Sequence, residues 1–244
     1  RWDGTAWSPL GAGVNNIVTA LGVQDGNLYA SGSFTSAGGV SVNLIARWDG
    51  SNWFAMGSGL SSNAARAFAV LNGDLYVGGS FDYAGGNYAP KLARWDGTAW
   101  SAVGESMTGV GASSIDAMVV MPDGVGGSNL FVGGVFRSAE TTPVKNIARF
   151  DGTSWHALGN GQAPDNTVWE TGVGIDAEGG KVIYAGGLFL QAGSSSARYI
   201  AAWDVDAGTW KTVGTGVNGE VRTVATNGTD LYVGGVFTTA GIYN

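Results

Sequence analysis

Short apolar runs recur along the chain, and turns rich in Gly, Asn and Asp separate them. In the second full repeat the runs are 65–70, 75–81, 91–95 and 100–103, which we name strands a, b, c and d. Strand b begins Leu-Tyr-Val-Gly-Gly, without an alternation of apolar and polar residues. This pattern predicts short strands that are buried on both faces. No segment has the apolar spacing, the cap and the stop of a helix.

These four runs belong to a repeat that occurs five times. The c–d half reads Arg-Trp-Asp-Gly with a second Trp shortly after, and it weakens to Arg-Phe-Asp-Gly and Ala-Trp-Asp in the last two copies. The a–b half ends in a pair of small residues and a Phe. These Phe residues recur at intervals of about 50 residues and are Phe34, Phe81, Phe136, Phe189 and Phe237. A period of this length, with several short strands in each unit, predicts a β-propeller.

We therefore predict an all-β fold, a five-bladed β-propeller with four-stranded antiparallel blades, in a single domain over 1–244. Residues 1–11 supply only strands c and d, whereas 219–237 supply only a and b. The N-terminal strands are expected to close the last blade, which would leave no free sheet edge. The alternative is a piece cut from a longer array with more blades. The predicted units are 12–58, 59–105, 106–160, 161–215 and 216–244 together with 1–11.

Two features of each unit are expected to serve packing. The Gly pairs at the end of strand b would let neighbouring blades approach closely. The paired Trp residues would fill the wide outer end of each wedge, so the sequence predicts that they are largely buried. This applies to Trp48, Trp53, Trp95 and Trp100.

The order of motifs resembles the kelch repeat. The run 75–79, then Arg94-Trp95-Asp96-Gly97 and then Trp100 can be laid directly on that repeat. The Ile-Ala-Arg-Trp-Asp-Gly form is also similar to Gly-rich propeller repeats of large exported bacterial proteins. Related repeats occur in fungal cortical polarity markers with a galactose-oxidase-like propeller. The resemblance implies a non-enzymatic protein outside the cytoplasm, and it carries over no catalytic residue.

Composition narrows the range of partners. The net charge is −7 and no basic stripe is present, so we do not expect a nucleic acid partner. Cys is absent, which excludes disulfides and thiolate metal sites. No apolar run reaches the ~18 residues of a membrane span, so membrane insertion is not expected. Residue 1 lies inside a repeat, and we expect the natural chain to begin earlier and to be part of a larger chain or assembly.

The repeated Asp and the single His are candidates for chemistry, but each has a simpler interpretation. Asp-Gly is a common turn dipeptide in which the Asp side chain caps the turn backbone, so we expect a turn role rather than a metal site. His156 follows Trp155 at a position that varies between repeats, and we expect it to face solvent. Without a second His or any Cys, His-metal and Cys-ligand sites are unsupported, and we expect no metal and no cofactor.

Strand a carries residues that differ between repeats. Aligning this strand across the units places one set in register, namely Thr19, Arg66, Asp116, Glu170 and Arg222. We predict that these side chains lie near a central channel. Arg66 would then pair with Asp116, and Glu170 with Arg222. Trp169 precedes Glu170 and is expected either to fill a gap or to stack on a ligand.

We interpret the chain as an exported or cell-surface binding or structural module of a bacterium, recognising a protein or a glycan. Its expected ligand-binding residues are Arg66, Asp116, Trp169, Glu170 and Arg222, and no catalytic residue is expected. One alternative is a glycoside hydrolase or lyase that uses Asp116 and Glu170 as a carboxyl pair. In that case the predicted Arg partners would lower the pKa of both groups and weaken a general acid. A second alternative is a purely structural module of a surface or filament assembly.

Overall fold

The structure is a computed structural model and describes residues 1–104, 107–108, 113–159 and 162–241 of the 244-residue chain. All secondary-structure elements of the described residues are strands, β1 to β27, so the fold is all-β as predicted. None of these residues belongs to a helix long and apolar enough to cross a membrane. The chain groups into two compact units, Arg1–Ser106 and Met107–Asn244.

The first unit contains two four-stranded antiparallel sheets. In each, the connection between strands b and c forms a short hairpin of two strands, each two residues long. The first sheet has the order β1-β2-β5-β6 and the second the order β7-β8-β11-β12. The two sheets pack through β1 and β7. Their strands are β1 (Val18–Gln24), β2 (Asn27–Gly32), β3 (Ser36–Ala37), β4 (Val40–Ser41), β5 (Ile45–Trp48), β6 (Trp53–Ala55), β7 (Ala65–Leu71), β8 (Asp74–Gly79), β9 (Tyr83–Ala84), β10 (Asn87–Tyr88), β11 (Leu92–Trp95) and β12 (Trp100–Ala102).

The second unit contains the third and fourth sheets, with the orders β14-β15-β18-β19 and β20-β21-β24-β25, and a last hairpin of β26 and β27. The unit also contains the short pieces β13, β16, β17, β22 and β23. Its strands are β13 (Met107–Thr108), β14 (Ser114–Pro122), β15 (Ser128–Val135), β16 (Ser138–Ala139), β17 (Thr142–Pro143), β18 (Ile147–Phe150), β19 (Trp155–Ala157), β20 (Val168–Ile175), β21 (Lys181–Gly187), β22 (Gln191–Ala192), β23 (Ser195–Ser196), β24 (Ile200–Asp204), β25 (Thr209–Thr212), β26 (Glu220–Asn227) and β27 (Asp230–Val236).

The order a-b-c-d predicted from the second repeat is confirmed in all four of these sheets. Strand b lies second in each sheet and is almost fully buried, as in β8 and β21. A strand with a hydrogen-bonded neighbour on each side and a sheet packed on each face needs no polar face, because none of its side chains reaches water. This explains the continuous apolar and small residues of strand b.

The paired aromatic residues form the outer core of each sheet. Their ring centroids are 5.1 Å apart for Trp95 and Trp100, and 4.9 Å apart for Phe150 and Trp155. The predicted burial is confirmed for Trp53, Trp95 and Trp100, whereas Trp48 is half-buried. Pairs of this kind gain stability from both burial and tilted ring contact.

A Gly-containing segment after strand d covers the second Trp of the following repeat, a feature that the sequence analysis did not identify. The Trp53 indole Nε1 donates to the carbonyl oxygen of Leu10 at 2.9 Å, and Trp100 Nε1 donates to that of Met56 at 2.8 Å. The residues Gly11 and Gly57 follow these carbonyls, and both adopt positive φ. The chain there makes a tight bend that brings a backbone acceptor to the buried indole N–H.

The repeated Asp caps the c–d turn, as predicted. In the second sheet the Asp96 Oδ1 atom accepts hydrogen bonds from the backbone N–H groups of Thr98 and Ala99, both at 2.8 Å. These hydrogen bonds lower the pKa of Asp96 to about 2. Equivalent bonds occur at Asp3, Asp49, Asp151 and Asp204.

The predicted closure of the last blade by the N-terminal strands is not formed. Within the described residues, β26 and β27 make a two-stranded sheet, and residues 1–11 are not part of it. The chain at 1–8 instead folds back on itself, with a Trp2–Trp7 bridge and a 2.8 Å hydrogen bond from Ser8 N to the Arg1 carbonyl. This hairpin forms without a strand b beside it, because its backbone hydrogen bonds from Ser8 to Arg1 and from Asp3 to Ala6 are internal.

Candidate functional site

Strand a contains a β-bulge at the same place in every repeat. The register of β14 with β15 shifts between Ile115 and Ala117, which leaves Asp116 as the extra, unpaired residue. The same shift occurs in the other first strands. A bulge turns one side chain out of the regular alternation and is often found beside functional sites. We name the extra residue the bulge position, and its occupants are Thr19, Arg66, Asp116, Trp169 and Arg222.

The bulge corrects one residue of the predicted alignment. In β20 the register shifts between Val168 and Glu170, so Trp169 occupies the bulge position and Glu170 is the next paired residue. Glu170 therefore corresponds to Ala117 of the third sheet rather than to Asp116. A signal for the correct alignment was present, because an apolar or small residue precedes the bulge in each repeat. These residues are Val18, Ala65, Ile115, Val168 and Val221.

The second Gly of each strand b pair is required by the bulge. A Cβ added at Gly134 would overlap the carbonyl oxygen of Ser114, which the bulge pushes toward it. Gly187 and Gly235 face the carbonyls of Thr167 and Glu220 in the same way. The first Gly of the pair has the predicted role, since a Cβ at Gly133 would lie 2.7 Å from Cγ1 of Val168 on the neighbouring sheet. The two Gly residues of the pair are thus needed for different reasons: the first for close packing of the neighbouring sheet, and the second for the bulge.

Three bulge residues of the second unit line one open cleft. Asp116, Trp169 and Arg222 come from the third sheet, the fourth sheet and the last hairpin, and they surround a volume of about 400 Å³, which we name the bulge cleft. The Arg222 guanidinium lies over the Trp169 ring, 5.5 Å from its centroid, within the range of a cation–π contact. The side chain of Arg222 is 62% exposed, so its donors reach solvent.

The predicted ion pair between Glu170 and Arg222 is not formed. Arg222 Nη2 lies 3.1 Å from Oε2 of Glu220, two residues earlier on the same strand. Glu170 Oε1 instead accepts the backbone N–H of Thr171 at 3.0 Å. The pairing fails because Glu170 is not at the bulge position. Alternation along β20 places Glu170 on the face of Gly172, which packs toward Val224 of β26.

The position of Glu170 changes its acidity. Burial between the strands raises the pKa of Glu170, and the hydrogen bond from the Thr171 N–H opposes this only in part. The direction is opposite to the one expected for a carboxylate paired with Arg. Asp116, at the edge of the cleft, accepts a hydrogen bond from Ser114 Oγ at 3.0 Å. The two carboxyl groups of the sequence hypothesis therefore occupy unlike environments.

The two remaining bulge residues belong to the first unit. Thr19 Oγ1 donates to the carbonyl oxygen of Ala65 at 2.8 Å and lies 3.2 Å from that of Ser31, so it links the first and second sheets. Arg66 occupies the corresponding place on β7, and its side chain is exposed. Thr19 thus has a structural role in its own unit.

His156 and the acidic residues are dispersed. His156 Nε2 lies 2.7 Å from Asp151 Oδ2, and the His ring is 40% exposed. The hydrogen bond with His156 holds the pKa of Asp151 well below its usual range. Among the described residues, no three His, Cys, Asp or Glu side chains gather as metal ligands do.

The bulge cleft combines a hydrogen-bond acceptor, an aromatic ring and a donor. Asp116 supplies carboxylate oxygens, Trp169 an apolar ring, and Arg222 a guanidinium held by Glu220. Binding sites for small ligands commonly join an aromatic wall to a few convergent polar groups. The arrangement therefore suits recognition of a ligand that offers both an apolar face and polar groups.

Residues 24–48 match the model of a family described as Domain of unknown function (DUF5122) beta-propeller. The matched segment runs from the end of β1 through β5, which are strands of the first sheet. No curated protein matches the sequence. The similarity of this segment to a β-propeller repeat agrees with the four-stranded sheets, whereas the kelch-like assignment stays a prediction.

Proposed function

We propose that the chain is a non-enzymatic binding module that recognises a protein or a glycan through the bulge cleft. The observation that carries this proposal is the convergence of three variable side chains from three successive repeats on one open cleft. The repeat largely keeps its Trp, Asp and Gly residues for packing and turns, whereas the bulge position holds four different residue types in five copies. Because a bulged residue takes no part in the strand pairing, it can vary without loss of the sheet.

The proposal is tested by a binding screen of the whole chain against immobilised glycans and peptides. Trp169→Ala and Arg222→Ala are expected to weaken binding of whichever ligand is found. Tyr232→Ala and Lys181→Ala are matched controls, since they remove an aromatic ring and a cation at exposed positions outside the cleft. Equal binding by the cleft variants and the controls would refute the proposal.

A glycoside hydrolase or lyase is the second candidate, and the raised pKa of Glu170 favours it. A carboxyl group that keeps its proton to higher pH is suited to act as a general acid, and Asp116 would be the second carboxyl group. Turnover of aryl glycosides or polysaccharides that disappears in both Glu170→Gln and Asp116→Asn would favour this candidate. Absence of turnover with retained binding would favour the binding module.

We also propose that the five repeats are five blades of one kelch-like propeller, exported or displayed at a bacterial cell surface. The last hairpin supports the blade assignment, because β26 and β27 carry the same bulge and the same Gly as the complete sheets. A crystal structure that shows five blades about one axis would agree with the count, and a sixth blade would contradict it. Detection of the natural protein in surface or medium fractions tests the location. If the chain binds no ligand and shows no turnover, a purely structural role is the remaining interpretation.

A further inference from the structure

We propose that the last hairpin, β26 and β27, binds residues 1–8 of a second copy of this chain. The bound hairpin takes the place that strands c and d have in the four-stranded sheets, and its Trp7 ring enters a cavity beside β27. This inference goes beyond the proposed function, because it depends neither on the bulge cleft nor on a ligand there. It assigns an interaction surface to each end of the described chain.

Both sides of the proposed contact repeat sequences that pair with each other in the second sheet. Residues 230–235 read Asp-Leu-Tyr-Val-Gly-Gly, as residues 74–79 do. Residues 1–7 read Arg-Trp-Asp-Gly-Thr-Ala-Trp, as residues 94–100 do. The same two sequences are therefore compatible with the same antiparallel pairing when they come from different copies.

The second sheet also defines the register of the proposed contact. There β8 and β11 pair with Tyr76 opposite Arg94. The same register between two copies would place Tyr232 of one copy opposite Arg1 of the other. Adding a strand to a sheet edge in this way is a common mode of recognition between chains.

The second Trp of the c–d hairpin lies between two Gly residues in the first, second and fourth sheets, and we name this place the indole slot. In the second sheet the slot is formed by Gly57 and Gly85, with φ of +57° and +61°. A Cβ on these residues would lie 3.5 Å and 2.6 Å from Cδ1 of Trp100. The Gly85 N–H donates to the carbonyl oxygen of Gly59 at 2.8 Å and joins the two sides of the slot.

The backbone beside β27 forms the same slot around an open cavity. Gly214 and Gly241 adopt φ of +55° and +74°, and the Gly241 N–H donates to the carbonyl oxygen of Gly216 at 2.9 Å. Among the described residues, no atom beyond the chain neighbours lies within 4 Å of a Cβ on Gly214 or Gly241. The cavity has a volume of about 290 Å³, and Val213 and Leu231 are among its apolar lining residues. Its geometry therefore suits a Trp ring.

Each surface exposes apolar groups that the other would cover. Trp2 and Trp7 are 50% and 79% exposed, and Tyr232 is 57% exposed whereas Tyr76 in the second sheet is 5% exposed. Within the described residues β27 pairs with β26 alone, so its other edge presents backbone N–H and C=O groups. Such an edge readily adds a strand from another chain. Burial of two Trp rings would supply most of the stabilisation.

A second copy is the occupant that the structure favours. The hairpin at 1–8 has its own backbone hydrogen bonds and is not part of the β27 sheet of its own chain, so it can dock as a preformed unit. Exchange of an identical element between copies is a low-cost route to association. Because each copy offers both a hairpin and a slot, the contact can be reciprocal between two copies or extend head to tail.

The first test is sedimentation of the 244-residue chain over about a hundredfold range of concentration. We expect larger species as the concentration rises. Trp7→Ala removes the docking ring, and Gly241→Ala adds a methyl group inside the slot, so each should weaken association by about tenfold or more. Tyr88→Ala is the control for loss of an exposed ring, and Gly228→Ala is the control for a Cβ at positive φ in open space. Thermal melting checks that each variant folds.

The second test identifies the paired residues through engineered disulfides, since the chain has no Cys. Chains with Arg1→Cys are mixed with chains with Tyr232→Cys, because opposite residues of an antiparallel pair lie within reach of a disulfide. We expect oxidation to link residue 1 of one copy to residue 232 of another, as identified by mass spectrometry of the linked peptides. Arg1→Cys mixed with Tyr88→Cys is the control and should give little linkage.

The outcomes separate a second copy from other arrangements. A chain that stays monomeric at every concentration would overturn the proposal. Association that Trp7→Ala and Gly241→Ala weaken no more than their controls do would also overturn it. If a chain with both Arg1→Cys and Tyr232→Cys links within itself and the mixed single variants do not link, then the hairpin docks on its own chain, and the inference of a second copy is wrong.

Discussion

The hairpins at 1–7 and 94–100 have the same sequence, Arg-Trp-Asp-Gly-Thr-Ala-Trp, and very different surroundings. Their turns agree closely: the Asp Oδ1 atom accepts two backbone N–H groups at 2.8 Å in each. The ring centroids are 5.5 Å apart in the first and 5.1 Å in the second. Yet Trp2 and Trp7 are 50% and 79% exposed, whereas Trp95 and Trp100 are 7% and 5% exposed.

These two hairpins separate the properties of the repeat that are local from those that depend on its surroundings. The Asp turn and the ring contact form within seven residues and need no neighbour. Burial depends on the rest of the sheet: Trp100 is held by the Met56 carbonyl and by the b–c hairpin at Gly85. A single motif is therefore sufficient for the turn and insufficient for the core.

The largest expected difference between the two hairpins is the loss of stability when their second Trp is replaced by Ala. Trp100→Ala removes a buried ring and should lower the free energy of unfolding by about 3–5 kcal/mol. Trp7→Ala, at an exposed position, should change it by about 0.5 kcal/mol or less. Urea denaturation followed by circular dichroism measures both. Similar losses for the two variants would show that residues 1–7 pack in solution as tightly as 94–100 do.

A smaller effect is expected from adding a methyl group at Gly85, beside the Trp100 ring. Gly85 has φ +61°, and a Cβ there would lie 2.6 Å from Cδ1 of Trp100. Gly85→Ala should cost about 1–3 kcal/mol, because it adds a clash to the backbone strain. Gly73→Ala is the control, with φ +87° and open space around its Cβ, so it shows the cost of strain alone. Equal losses of stability in the two variants would mean that the Trp100 side chain shifts to accommodate the added methyl group.

The smallest effect is expected in acid. Backbone N–H groups lower the pKa of Asp96 and of Asp3 to about 2 in the folded chain, from an ordinary value of 3.8. A lowered folded pKa contributes stability above pH 3.8 that is lost as the pH falls toward 2. Asp96→Asn should reduce the fall of Tm between pH 4 and pH 2, because the Asn side chain has no charge to lose.

Asp3→Asn provides the matched comparison, since the turn is the same and the hairpin is exposed. We expect its Tm profile in acid to follow that of the parent chain, because the exposed hairpin at 1–7 opens separately, so protonation of Asp3 does not affect unfolding of the core. If Asp3→Asn flattens the profile as much as Asp96→Asn does, then the turn at 1–7 is coupled to the core. That result would contradict the conclusion that this hairpin forms independently of the core.

The sequence was sufficient for the sheets because their causes are local. Asp-Gly turns, short apolar runs and paired Trp residues define strands b, c and d within a few residues of each motif. The sequence was insufficient for the closure of the last blade, because pairing of residues 1–11 with β27 depends on contacts over the whole chain length. Trp2 and Trp7 carry the same motif as the buried pairs, so the motif alone could not distinguish them.

The alignment of strand a was predicted to within one residue, and that residue matters. The bulge adds one position to strand a, which exchanges Glu170 for Trp169 at the bulge position. The predicted alignment put the charged Glu170 in register and gave less weight to the apolar residue before the bulge, such as Val168 or Val221. The exchange removes an expected ion pair and leaves Glu170 with a raised pKa.

The bulge also makes each a–b hairpin a self-contained part. The extra residue and the Gly that accommodates it both lie within one hairpin, as Trp169 and Gly187 do in β20 and β21. Exchange of whole hairpins between repeats would therefore carry a recognition residue and its backbone support together. Duplication and recombination of such units could produce new cleft compositions in single steps, and a combinatorial library could be built by the same exchange.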